Sequence, residues 1–195
     1  LRPFICDTSR FLHEAQSQDK AILFEAQLGA LRDLDYGIYP YTTSSNAVAS
    51  YAPVGSGYPE VKIEKVVGVV KAYSSCVGEG PFTCEWFGEE AEKLREAGGE
   101  YGAKTGRPRR VGPIDIVATR YGVRCQGATD IALTKLDVLS YLDEIPICAR
   151  YELQGQLTDE SPFPAVLPEA KPVMTSMPGW KCDISGVRKW EDLPQ

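Results

Sequence analysis

Histidine is nearly absent from this chain: its 195 residues contain one, His13, set among polar neighbours. A Ser-His-Asp or Cys-His nucleophile would have to use it, and nothing beside it suggests such a site. The six cysteines, Cys6, Cys76, Cys84, Cys125, Cys148 and Cys182, form no Cys-x-x-Cys pair, so the spacing of a zinc site is missing. An even count permits disulfides. Apolar company such as Ile147-Cys148-Ala149 favours buried free thiols in a reducing, cytoplasmic compartment. No apolar run approaches the roughly 20 residues that cross a bilayer, no signal peptide opens the chain, and no internal repeat is present. A formal net charge of -6 argues against a surface built for nucleic acid. The chain opens on Leu1-Arg2-Pro3 without Met, which suggests a piece of something longer.

What is present reads as an ordinary globular domain, with 43% hydrophobic and 25% charged residues. Residues 6–18 suit a polar helix capped by Asp7 or Thr8, with Phe11, Leu12 and Ala15 on one face. The apolar runs 21–25, 66–73, 129–134 and 145–151 suit buried strands; 66–73 is the clearest, being rich in β-branched residues. Residues 86–97 suit a helix with Phe87, Ala91 and Leu94 on one face, a Glu89–Lys93 pair and Gly98-Gly99 as its stop. Residues 114–124 suit another helix, with Asp115 in the first turn. One or two helical turns are expected at 137–142. Strands alternating with helices predict an α/β fold, mainly a parallel sheet with flanking helices. Residues 155–179 contain five prolines and are expected to form an irregular connection or flap.

Four stretches could carry chemistry. Between Lys104 and Arg110 lie four cations and no acid, flanked by glycines that make this a loop. Such a loop repels itself unless an anion sits in it, and guanidinium groups grip carboxylates or phosphates through paired donors. The alternative is a solvated basic turn. In an extended segment Arg107 and Arg109 share one side and Arg110 faces the other, so two ligands, or two parts of one, could be held. Tyr39–Asn46 is a run of hydroxyl and amide side chains before an Ala/Val segment, suited to phosphate at a helix start or to a cap with surplus polar groups. Cys76-Val77-Gly78-Glu79-Gly80-Pro81-Phe82 lets backbone approach a ligand closely, or is an ordinary turn. Leu133-Thr134-Lys135-Leu136-Asp137 ends an apolar strand. A carboxylate there can accept both guanine N1–H and N2–H₂, which adenine cannot offer, while the Lys stem covers the purine face. Alternatively, Asp137 caps a short helix.

In order and spacing, Tyr39–Asn46, Val77–Phe82, Gly102–Arg110 and Leu133–Leu139 resemble the motifs of the adenylosuccinate synthetase family, with likeness over roughly 21–151 and more weakly at Met177-Pro178-Gly179-Trp180. The resemblance implies a P-loop-NTPase-like α/β fold, of which residues 1–195 would be a single partial domain, the middle-to-late part of the enzyme. It implies GTP-dependent joining of IMP to L-aspartate in purine biosynthesis, through 6-phosphoryl-IMP, by a cytoplasmic homodimer that uses Mg²⁺. Carried over by position, IMP falls to Gln27, Thr43, Val77 and Arg107; aspartate to Lys104, Thr105, Gly106 and Arg107; GTP to Arg109, Lys135 and Asp137. No catalytic or metal-binding residue of the family falls within this sequence, since its glycine-rich phosphate loop, catalytic Asp and His, and Mg²⁺ contacts have no counterpart here. The expectation is a chain that binds substrates without turning them over, with no membrane or nucleic-acid partner. The alternatives are a noncatalytic guanine-nucleotide-binding module and a structural unit. Three departures stand out. Gln27 lies one residue before the family's Gln, whose place Leu28 takes, Lys104 replaces the usual Thr, and Pro108 replaces one Arg of the basic loop and stiffens the turn.

Overall fold

The computed structural model describes residues 1–194 and divides into two compact units, residues 1–68 with 122–130, and residues 69–121 with 131 onwards. In the first, α1 (Thr8–Ser17) begins at Asp7, whose carboxylate accepts the Arg10 N–H at 3.1 Å, and carries an Arg10–Glu14 pair one turn apart. The short α2 (Ala52–Gly55) follows a 3₁₀ turn and buries Pro53. Between them the chain folds on itself without a ladder. Ile38 N–H bonds Leu31 O, Thr43 N–H bonds Arg32 O, and Leu34 N–H bonds Ser45 O. At Gly37 a Cβ would stand 2.3 Å from Asp33 O, so this close approach admits no side chain.

Asp33 is fully buried at the centre of that fold. Its carboxylate accepts backbone N–H bonds from Asp35 and Tyr36 at 2.9 Å, Ala47 at 2.5 Å and Val48 at 3.3 Å. Burial pushes its pKa up, and the four donors outweigh burial and hold it below the ordinary carboxylate value. The Gln126 amide ties the segment further, accepting from Ala49 N–H and donating to Ala47 O. Tyr58, also buried, donates to Gln16 and meets His13 Nδ1 at 3.4 Å.

Residues 66–73 divide into two strands: β1 (Val67–Lys71) and β2 (Tyr73–Cys76). α3 (Gly88–Gly98) ends as expected on a left-handed Gly99 and carries the Glu89–Lys93 pair at 2.7 Å. Its buried face is Ala91 and Leu94; Phe87 sits at the N-cap, exposed. β3 (Arg110–Asp115) claims Ile114 for a sheet, so α4 (Ile116–Gln126) starts later than 114, with Asp115 accepting Ala118 N–H. β4 (Asp130–Thr134), a 3₁₀ turn at Leu136–Tyr141, and β5 (Glu144–Leu153) follow.

The α/β class and flanking helices are as expected, while the sheet is more mixed than a mainly parallel one. β1 and β4 pair in the same direction, Val66 meeting Thr129 and Ala72 meeting Thr134, and β3 pairs β5 in parallel. β2 is antiparallel to β3, and β6 (Gln156–Thr158) and β7 (Lys171–Pro178) are antiparallel to β5. The expected irregular stretch 155–179 thus contains two strands. β7 tolerates Pro172 and Pro178 because, among the described residues, only β5 borders it, and a strand edge needs no donor from proline. Conversely, 21–25 is no strand: among the described residues it has no ladder partner, and Leu23 is 94% exposed. The core of the second unit joins Ala72, Tyr73, Ala91, Leu94, Val111, Val138, Leu139 and Ile145. No helix among the described residues is long and apolar enough to cross a membrane.

Candidate functional site

The basic stretch is the tip of a narrow hairpin. Arg109 N–H bonds Glu100 O at 2.9 Å, Tyr101 bridges Pro108, Gly102 N–H bonds Arg107 O, and Gly106 N–H bonds Gly102 O. Gly106 turns the chain at φ 64°, a conformation glycine adopts without a Cβ penalty. The hairpin sorts its cations. At the tip Lys104 and Arg107 are exposed, and among the described residues neither side chain has a hydrogen-bonding or ion-pair partner. At the base Arg109 and Arg110 are anchored. Thr105 Oγ1 is turned inward to accept Arg107 N–H at 3.3 Å.

Arg110 faces away from Arg109, as alternation along an extended segment requires. It forks onto Glu85, with Nε at 2.8 Å from Oε1, and its Nη1 reaches the carbonyls of Gly78 at 3.2 Å and Gly80 at 2.9 Å. Its guanidinium also lies 5.5 Å from the Phe82 ring centre. Arg110 is therefore the brace of the 77–82 loop. That loop carries Val77, 64% exposed, and turns on Gly78 and Gly80, both at positive φ.

Arg109 is held differently. Its Nη1 meets Glu100 Oε2 at 2.9 Å, while Glu100 Oε1 also accepts Lys71 Nζ and Tyr73 OH, each at 2.6 Å. Glu100 is 2% exposed. Burial pushes its pKa up, but the bonds from Lys71, Tyr73 and Arg109 prevail and hold it below the usual value. Burial and the neighbouring Glu100 push the Tyr73 phenol strongly up, so it remains a donor. The guanine-type motif comes to the same neighbourhood. Lys135, in a left-handed conformation at the head of the 3₁₀ turn, reaches Gly98 O at the end of α3, at 3.4 Å. Asp137 is exposed, without hydrogen-bonding or ion-pair partner among the described residues, and with Lys135 it lines a cavity of about 610 Å³ whose other wall includes Arg188 and Trp190.

In the first unit, Thr43 Oγ1 accepts Ser45 N–H at 2.9 Å and the residue's own N–H bonds Arg32 O, fixing a turn rather than a helix start. Asn46 Nδ2 donates to Asp35. Gln27 is exposed, outside regular structure, and is followed by Leu28 and Gly29, both at positive φ. The second unit thus joins Arg109, Lys135 and Asp137 around the end of α3. Val77 is linked to the basic hairpin through Arg110. Glu100, Glu85 and Lys71 were not singled out in the sequence; the only signal was an acid two residues ahead of a basic loop.

Among the described residues, the one three-residue set of His, Cys, Asp or Glu close enough to share a metal is Cys84, Asp115 and Cys148, all buried. It does not fit Mg²⁺, which takes oxygen ligands and retains waters. Asp115 is already engaged by Tyr151 OH, Ala118 N–H and Cys84. Burial raises its pKa beyond what those bonds lower, and the Cys148 thiol, burial and Asp115 push Cys84 far up. The cluster reads as an interior lock of hydrogen bonds.

Comparison with known proteins gives this geometry a family. A profile of the adenylosuccinate synthetase family matches residues 1–195. The adenylosuccinate synthetases of Bifidobacterium adolescentis and Streptococcus gordonii are 50% and 48% identical to the chain over its full length. The chain spans about half, 46%, of the length of these curated relatives. A fully ligated adenylosuccinate synthetase from Plasmodium falciparum superposes with a TM-score of 0.94 at 38% identity, covering all of this chain and 47% of that one. A cyanophage succinoaminodeoxyadenylate synthetase, at 20% identity over 69% of this chain and TM-score 0.56, shares the fold alone. With a full-length profile match, the same backbone and the four motifs in order, the chain belongs to the adenylosuccinate synthetase family.

Proposed function

We propose that these residues form the substrate-binding part of a GTP-dependent ligase that joins IMP to L-aspartate. The observation that carries this reading is the pairing of Asp137 with Lys135 at an open cavity, where Asp137 has no hydrogen-bonding or ion-pair partner among the described residues; Lys135 reaches Gly98, which leads into the hairpin whose tip cations Lys104 and Arg107 are likewise without partner among the described residues. In the first step the N1 proton of IMP passes to a base that these residues do not supply, O6 attacks the γ-phosphorus of GTP, and GDP leaves. In the second the aspartate amine adds at C6, a proton is lost from nitrogen, and phosphate leaves with the C6–O bond. Asp137 accepts from guanine N1–H and N2–H₂, Lys135 covers the base, and Arg109 meets the phosphates. Lys104, Thr105, Gly106 and Arg107 take the aspartate carboxylates, with paired guanidinium donors matched to a carboxylate. Arg107 also reaches IMP, Thr43 takes the IMP phosphate, Val77 packs on the ribose, and Gln27 contacts the base.

All 195 residues are assigned to one partial domain of that enzyme, a cytoplasmic homodimer. It would use Mg²⁺ held by residues other than these, so no step above is routed through the metal. Calorimetry on the 195-residue chain tests the base reading. GDP should bind, and Asp137→Ala should weaken it about tenfold to a hundredfold, since two hydrogen bonds to a charged acceptor are lost. ADP binding should barely change. Equal loss for both nucleotides would overturn the base reading. Binding with no ligase activity in the natural full-length protein would leave a noncatalytic guanine-nucleotide-binding module.

A further inference from the structure

Glu100 is a buried carboxylate at the base of the basic hairpin, held through both backbone and side chain. Its N–H bonds Arg95 O at 2.9 Å, its carbonyl accepts Arg109 N–H at 2.9 Å, and its carboxylate takes Lys71, Tyr73 and Arg109. Backbone and side chain therefore clamp the same residue, Arg109, at the point where the hairpin leaves the sheet. A second contact secures Arg109 from α3, whose Arg95 Nη1 donates to Arg109 O at 3.4 Å. With Nη1 committed to Glu100, the guanidinium plane is set. Nε is buried without a partner among the described residues, Nη2 is unengaged, and the side chain is one-third exposed.

We propose that Glu100 is the positioning residue of the nucleotide site. It holds Arg109 in the orientation that receives the phosphates of the guanine nucleotide, through a carboxylate that is itself locked by Lys71 and Tyr73. The inference rests on the reading that Arg109 meets GTP. Immobilising an arginine costs rotamer freedom. In this arrangement that cost falls on folding rather than on binding, which is what preorganisation means. The Gly98 carbonyl, bonded by Lys135, precedes Glu100 by two residues, so one short turn orients both the base-covering lysine and the phosphate-facing arginine.

Two opposite signs separate this role from a merely electrostatic one. Glu100 is a negative charge next to an anion site, so neutralising it should tighten nucleotide binding if charge alone mattered. If Glu100 positions Arg109, neutralising it should weaken binding. Steady-state kinetics on the natural full-length protein decide this. Glu100→Gln should raise KM for GTP about tenfold, the loss of a charge-assisted hydrogen bond, with KM for IMP changed less than about twofold. Glu100→Asp should recover part of the loss. Arg109→Ala should raise KM for GTP comparably, and the double variant should be no worse than Arg109→Ala alone, since two residues acting through one contact do not add.

An unchanged or lower KM for GTP in Glu100→Gln, with Arg109→Ala impaired, overturns the positioning role and leaves the Arg109 reading intact. An unimpaired Arg109→Ala overturns the Arg109 reading instead. Additive losses in the double variant also sink the inference. Should Glu100→Gln fail to fold, Tyr73→Phe removes only one of the donors on the carboxylate. It should raise KM for GTP about threefold, and an unaltered value counts against the proposal.

Discussion

At the scale of single residues, two buried carboxylates, Asp33 and Glu100, organise loops that carry little regular structure. Asp33 takes four backbone N–H bonds, and its pKa lies below the ordinary value. A depressed carboxylate pKa gives stability that is present above the unfolded value and lost as pH falls through the folded one. Asp33→Asn keeps the shape but removes the charge and turns one acceptor into a donor among donors. It should cost about 2–4 kcal/mol at pH 7 by urea denaturation. The deficit should start to shrink as pH falls below the ordinary carboxylate value and reach its minimum below the lower folded value, where the wild-type group is neutral in both states; a deficit constant with pH would mean the charge is irrelevant. The contrast with Asp137 explains what was legible. Asp137 does its proposed work inside a contiguous motif, so its role could be read from neighbours. Glu100 meets Lys71 and Tyr73, 29 and 27 residues away, and no local pattern announces a partner at that distance.

At the scale of elements, helix stops and strand cores were legible because they are local: Asp7 as cap, Gly99 as stop, β-branched residues in β1. Pairing was not. The run 21–25 has the composition of a strand but no ladder partner among the described residues, and 171–178 has prolines yet pairs with β5 along its length. Composition decides whether a segment can be a strand, while its neighbours decide whether it is one. α3 shows the packing side of the same point. Leu94, fully buried, anchors the helix on the core that sets the Gly98–Glu100 turn, so Leu94→Ala should lower unfolding free energy by about 2–5 kcal/mol. A loss within about 0.5 kcal/mol, the range typical of surface changes, would mean α3 is not held by that face. The 77–82 loop is braced by Arg110. Arg110→Lys keeps the charge but cannot bond Glu85 in a fork while also reaching Gly78 and Gly80. Limited proteolysis should cut the variant between Val77 and Pro81 faster than the wild type, and equal rates would assign the loop's order elsewhere.

For the whole molecule, the question is whether binding groups amount to catalysis. A protein of net charge -6 has no general attraction for nucleotides, so the proposed affinity rests on local sites: the tip of the basic hairpin, whose Lys104 and Arg107 side chains have no partner among the described residues, and the Lys135–Asp137 pair. In the proposed reading those groups bind charge and read a base. Phosphoryl transfer to O6 asks more, namely a group to take the N1 proton of IMP and a cradle to neutralise the γ-phosphate in flight. The single histidine, His13, is turned to Tyr58 and lies 3.5 Å from Glu60 on an exposed surface, and the Cys84–Asp115–Cys148 cluster is sealed and carries thiols where oxygen ligands are needed. The sequence contains no Gly-Asp-Glu-Gly-Lys-Gly segment whose backbone could wrap a triphosphate. Incubated with GTP, IMP and aspartate, the 195 residues alone should therefore release no phosphate above the rate without IMP, while calorimetry still registers GDP. The two measurements belong together: binding without turnover places the missing chemistry in other residues of the natural protein, whereas IMP-dependent phosphate release by these residues would mean that a proton acceptor and a phosphate cradle lie within them and that His13 or the sealed cluster has been misread.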